Sequence, residues 1–196
     1  MCIEMFSRKS EGPRCPEVIE AYRDYAPPFK VGRAVRRLVD SVDQRHVHGV
    51  RSVVLTNLAA LGRDQRRRKG KSRGRTFTME QVLGRYHPAW KGGEAWIELF
   101  VDQIFKNCPG WFTRVPPLRE MTLGRTLFHE IGHHIHRTQA PEYREKESVA
   151  DAWVRRLNGR YARERYWYLL PVALVLKAPV DLARWYFKRR GRITTA

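Results

Sequence analysis

Cysteine is scarce in this chain, and the little there is forms no pattern. Cys2, Cys15 and Cys108 are odd in number and none stands in Cys-x-x-Cys spacing, which excludes a disulfide framework and a zinc ribbon. Reduced thiols and a cytoplasmic location are the expectation. Acidic side chains are also few, with 20 Asp+Glu against 38 Lys+Arg and a formal net charge of +18. That imbalance predicts attraction to a polyanion: nucleic acid, an anionic membrane surface or an acidic protein. Long apolar runs are missing too. Tyr166 to Leu176 holds eleven uncharged, largely apolar residues, whereas a bilayer needs about 20, so no transmembrane span is expected. The start MCIEMFSRKSEGPRCP has no apolar core of the kind a secretory signal needs.

What is present suits a single folded domain. A length of 196 residues with 42 % hydrophobic and 11 % aromatic content can bury a core. PEVIEAYRDY and VGRAVRRLVDSVDQ carry helical spacing, with Val31, Val35, Leu38 and Val42 on one face. Val50 to Thr56 is β-branched and predicts a strand. RTFTMEQVLG and GGEAWIELFV are two more strand candidates. In the latter, Ala95, Ile97 and Leu99 alternate with Trp96, Glu98 and Phe100, a mixed pattern that suits an edge.

Between the strands, residues 63–75 carry eight basic side chains, one acidic one and two glycines. An exposed hairpin tip or insertion is the plain expectation. The sharper one is a phosphate grip formed by Arg66, Arg67, Arg68, Lys69, Lys71, Arg73 and Arg75. At the other end, aromatics and a KRRGR tail around residues 166–187 suit either a core or packing helix, or a helix lying in a membrane interface.

FTRVPPLREMTLGRTLFHEIGHHIHRTQAP predicts a helix entered at Pro116 or Pro117 and stopped before Pro141, with Leu127, Ile131 and Ile135 as its core stripe. A second helix is expected from Pro141 to Asn158-Gly159. On the first, His129, Glu130 and His133 form His-Glu-x-x-His. The i, i+4 spacing sets both imidazoles on one face, about 6 Å apart at their bases, so both can reach one ion. Glu130 projects beside that ion as a general base. Gly132, which costs a helix interior about 1 kcal/mol relative to Ala, is explained if another backbone packs close to it.

A catalytic zinc takes three protein ligands and keeps one position open. Gln139 occupies the place of the third histidine in the metzincin pattern, which excludes that class. Glu142, Glu145, Glu147 and Asp151 remain on the next helix. Glu147 is favoured because ESVAD puts Asp151 one turn on, where it can accept the outer N–H of His129. Ala150 would let the two helices approach. His136 shares a face with His133 and competes as third ligand, whereas His134 reads as a surface or second-cleft residue.

HEIGHHIH followed by ESVADAW resembles a gluzincin zinc metallopeptidase and is similar to the compact ImmA/IrrE-like intracellular metallopeptidases. The resemblance implies that His129, His133 and Glu147 hold one Zn2+ per chain, with Glu130 as base and Asp151 supporting a ligand. It also implies an α+β, minimal zincin-like fold with a small, mostly antiparallel sheet against the active-site helix and flanking helices. The expected organisation is an N-terminal extension over 1–29, a metallopeptidase domain over 30–160 and a basic, partly apolar helical segment over 161–196. The implied activity is zinc-dependent hydrolysis of peptide bonds in a protein substrate lying along the GGEAWIELFV edge. Tyr143, Arg144 and Tyr161 are the candidates for stabilising the oxyanion. The competing readings are a basic nucleic-acid-associated protein on the same scaffold and a purely structural zinc, against which the presence of a base argues.

Overall fold

The structure, a computed structural model, describes residues 15–67, 69–72, 75–139, 147–169 and 171. Strand β1 (Glu17–Glu20) leads into helices α1 (Val31–Asp40) and α2 (Gln44–Val47) and strand β2 (Val50–Thr56). Helix α3 (Arg63–Arg67), the hairpin of β3 (Lys69–Ser72) and β4 (Arg75–Thr78), and strands β5 (Gly84–His87) and β6 (Ala95–Phe100) follow. Helices α4 (Val101–Phe105), α5 (Pro116–Gln139) and α6 (Glu147–Arg165) come next, and a 3-10 turn at Trp167–Leu169 follows them.

The main sheet has the order β1-β2-β6-β5. β1 and β6 both run parallel to β2, and only β5 is antiparallel to its neighbour. The sheet is therefore mixed and mostly parallel, not mostly antiparallel as the sequence suggests. Parallel neighbours need long crossovers. The chain supplies them: α1 and α2 lie between β1 and β2, and α3, the hairpin and β5 lie between β2 and β6.

Two strand readings change with that topology. Glu17–Glu20 is a strand rather than part of a helix, because Val18 and Ile19 pair with Val53 and Val54 of β2 and the pairing overrides a short helical pattern. Residues expected in an N-terminal extension thus form one edge of the sheet. β6 is interior, not an edge, and its apparently mixed pattern is buried on both faces: Ile97, Leu99 and Phe100 are fully covered and Glu98 is 8 % exposed. The edge on that side of the sheet is β5.

Helix α1 buries the expected stripe of Val31, Val35 and Leu38, with Val42 just beyond it. Its Arg37 forms an ion pair with Glu120 of α5, which is 1 % exposed. Helix α5 packs against α1, α2, β5 and β6 through Leu127, Ile131 and Ile135, all buried. Truncating such a leucine to alanine costs about 2–5 kcal/mol, so α5 is held firmly in the core. That firmness matters because it carries both histidines of the motif.

The chain divides into two compact units, one through Asn158 and one from Gly159. Helix α6 passes through Asn158-Gly159 instead of stopping there. Its expected opening at Pro141 lies outside the described residues. In the second unit, Tyr161 and Tyr166 meet edge to face and Arg160 pairs with Glu164. Most of 166–187 lies outside the described residues. Among those described, no helix is long and apolar enough to cross a membrane.

Candidate metal centre

Helix α5 starts on Pro116, whose fixed φ suits a first helical position and whose missing N–H costs nothing there. Three and a half turns on, the i, i+4 pair His129 and His133 turn their rings toward each other, with centroids 4.7 Å apart and Nε2 atoms 3.1 Å apart. Glu147, on the first turn of α6, places Oε2 3.2 Å from His129 Nε2. One ligand atom from each of the three residues lies within 4.8 Å of the others. His129, His133 and Glu147 thus form a group that can hold a metal ion.

The geometry fits that use. Tetrahedral donors at about 2.0–2.1 Å from one ion stand about 3.3 Å from each other, close to the 3.1 and 3.2 Å separations found. Two imidazole nitrogens and a carboxylate oxygen are a zinc-type donor set with room for a fourth ligand. Asp151 Oδ1 lies 3.2 Å from His129 Nδ1 and can accept its N–H, which leaves the Nε2 lone pair turned to the centre. Two imidazole nitrogens and a carboxylate oxygen converging in this way suit a positive charge among them, which a metal ion would supply.

Small residues bring the two helices together. A Cβ on Gly132 would lie 2.8 Å from Ala150 Cα and 3.2 Å from the Ala150 carbonyl oxygen. The glycine thus pairs with Ala150, three residues after Glu147 and one before Asp151. Trp153 secures the same end of α6, meeting His46 of α2 edge to face while the Arg156 guanidinium sits 5.0 Å over its ring.

Glu130 is 7 % exposed and lies against β5, where a Cβ on Gly84 would come within 3.1 Å of its Oε1 and 2.9 Å of Thr126 Cγ2. Both glutamate and metal group open onto a cleft of about 900 Å³. Residues 81–86 form one wall, and α5 and the first half of α6 form the other. The edge strand that borders the group is therefore β5.

Tyr143 and Arg144, with Glu142 and Glu145, lie outside the described residues, and Tyr161 belongs to the second unit. Arg66 donates from Nε to the Leu61 carbonyl and from Nη2 to the Ala59 carbonyl, so it braces its own loop. Arg67 and Lys69 are exposed, Lys71 and Arg75 lie on β3 and β4, and Arg68 and Arg73 lie outside the described residues.

His134 is 2 % exposed and so not a surface group, but it does line a second cleft, of about 460 Å³, beside His48 and Tyr86. Its Nε2–H donates to the His48 carbonyl at 2.9 Å, and its Nδ1 accepts from the Tyr86 hydroxyl at 3.0 Å. Burial, with His48 adding to it, holds this imidazole below its usual pKa, although the backbone hydrogen bond opposes the shift. His136 is also buried, and its Nε2 has no hydrogen-bond partner among the described residues. It stands outside the metal group. Sequence reasoning missed Gly84 and Tyr86, whose importance arises only when β5 is laid beside α5.

Comparison with protein families, curated proteins and solved structures finds no match to this chain.

Proposed function

We propose that this protein is a zinc-dependent metallopeptidase of the gluzincin type. The observation that carries the reading is the convergence of His129, His133 and Glu147 in a cleft that also holds a separate carboxylate, Glu130. A brace without turnover has no use for that additional acid. His129, His133 and Glu147 would hold the zinc, which would supply Lewis acidity to polarise the scissile carbonyl and acidify a water molecule. Glu130 takes the water proton and passes it to the leaving amine. Asp151 fixes the His129 tautomer, and the absence of a side chain at Gly84 leaves room for the Glu130 carboxylate. The peptide adds as a strand along β5, the edge strand beside the cleft.

The test is metal analysis of the purified protein, followed by comparison of wild type with Glu130→Gln on a substrate cut by wild type. Near-stoichiometric zinc in both proteins and loss of cleavage in the variant are expected. Equal cleavage would sink the role of Glu130, and absence of zinc would sink the site.

The +18 charge and the basic residues of α3 and the β3–β4 hairpin favour a second reading, association with nucleic acid or another polyanion. Deleting 63–75 should then flatten the salt dependence of RNA or DNA binding. An unchanged slope removes the hairpin from consideration as a phosphate grip.

A further inference from the structure

Four residues of α5 stand at successive i, i+4 positions: Arg125, His129, His133 and Arg137. All four line the cleft. The histidine pair is thus bracketed by an arginine on each side, each step rising about 6 Å along the helix. The acidic residues among the described lining are Glu130, Glu147 and Asp151, and each belongs to the group already described. The remaining charged lining residues are Arg85, Arg125 and Arg137. Arg125 and Arg137 are exposed, and neither has an ion-pair or hydrogen-bond partner among the described residues.

We infer that the cleft selects an acidic peptide, with carboxylate side chains on both sides of the scissile bond received by Arg125 and Arg137. The inference deepens the peptidase reading and rests on it for the place of the bond. Arg125 and Arg137 stand about 18 Å apart along the helix; an extended peptide advances about 3.3 Å per residue, so each arginine lies about 9 Å, or nearly three residues, from a bond centred over the histidine pair. Guanidinium pairs with carboxylate in a two-pronged geometry that an amide cannot match. Lysine-bearing peptides would meet like charge at both ends. The arginines give part of the chain's positive charge a use at the site itself.

The full chain carrying Glu130→Gln and loaded with zinc provides a binding assay without turnover. Fluorescent peptides of one sequence, carrying Glu, Gln or Lys at the flanking positions, are compared by anisotropy. The Glu peptide should bind about tenfold more tightly than the Gln peptide. Adding Arg125→Gln and Arg137→Gln together should abolish that preference and leave zinc content unchanged. Arg33→Gln with Arg36→Gln removes the same charge from exposed positions on α1 that do not line the cleft, and should leave the preference in place.

Equal binding of the Glu and Gln peptides overturns the inference, as does a preference that survives loss of both cleft arginines. Single-stranded RNA that outcompetes the Glu peptide only while both arginines are present overturns it in favour of a nucleic-acid ligand. The parent reading fails separately: a wild-type protein that binds the Glu peptide selectively and cuts none keeps the acidic ligand class and loses the peptidase. One that cuts Gln and Glu peptides alike keeps the peptidase and loses the selectivity.

Discussion

Replacing Gly132 by alanine tests whether the closeness of α5 and α6 builds the metal group. The new Cβ would lie 2.8 Å from Ala150 Cα, whereas comfortable carbon contacts lie at about 3.5–4.0 Å. One backbone must therefore yield by about 0.7 Å or more. Alanine gains about 1 kcal/mol of helix propensity over glycine, and overpacking costs about 1–3 kcal/mol. The net expectation is a loss of up to about 2 kcal/mol, or about 2–4 °C in Tm for each kcal/mol in a chain of this size. The larger effect falls on the site. If α6 retreats by about 0.7 Å, Glu147 Oε2 moves from 3.2 Å to roughly 3.9 Å from His129 Nε2, too far for both atoms to hold one ion well. Zinc affinity should fall by about 10–100-fold, the scale seen when support of a ligand is lost. Thermal unfolding in chelator and zinc competition against a chromophoric chelator read the two effects separately. Gly159→Ala is the control, since a Cβ there meets nothing within 4 Å, and it should stabilise by up to about 1 kcal/mol. A Gly132→Ala protein that is more stable than wild type and binds zinc equally well would refute the argument.

Gly84→Ala should push on Thr126 Cγ2 and Glu130 at 2.9 and 3.1 Å; a displaced base predicts cleavage down about 100-fold with zinc still bound, and a peptidase assay beside metal analysis checks both halves. Asp151→Ala should leave the fold intact and weaken zinc by about 10–100-fold, because His129 Nδ1 loses the acceptor 3.2 Å away; unchanged affinity by chelator competition would remove Asp151 from any supporting role. His46 gives a pH signature. Burial first, and the neighbouring Arg45 next, hold its pKa below the ordinary 6.5 despite Asp43 and the Gln139 hydrogen bond. The unfolded chain therefore takes up this proton at a higher pH than the folded one. Its contribution is complete above pH 6.5 and is lost as pH falls from there through the folded pKa. Urea unfolding in chelator between pH 7.5 and 5.5 should show a decline that His46→Gln reduces; an equal slope in the variant would count against it.

The sequence placed α5 and marked Gly132 and Ala150 separately as points of close approach, because each follows from spacing along its own helix; that the two meet each other is a finding of the structure. Proline at the start of α5, the Leu127/Ile131/Ile135 stripe and the i, i+4 histidines need no knowledge of distant residues. What escaped depends on contacts far apart in the chain. Val18 and Ile19 read as helix until β2 pairs with them, and β6 reads as an edge until β2 and β5 enclose it. His134 looks like its neighbours in HEIGHHIH, yet its environment is set by Tyr86 and His48, more than forty positions earlier.

The same division explains why the charge was legible in amount but not in use. Arg125 and Arg137 stand in plain view at the i, i+4 spacing that identifies His129 and His133, and a helical projection alone puts all four on one row. Nothing in that row says whether it faces solvent or a wall. β5 decides it: once Gly84, Arg85 and Tyr86 lie opposite α5, the row becomes the floor of a cleft whose acids, among the described residues, are gathered at the metal group. A guanidinium on an open helix face interacts mainly with water and salt, and a pair formed there is worth under about 1 kcal/mol. Inside a cleft, beside a backbone edge that can align an extended ligand, the same guanidinium meets its partner with less water between them and a fixed register. The position of β5 thus turns two ordinary surface arginines into candidates for selectivity, and an edge strand moved elsewhere would leave the histidine row intact and the arginines without a role.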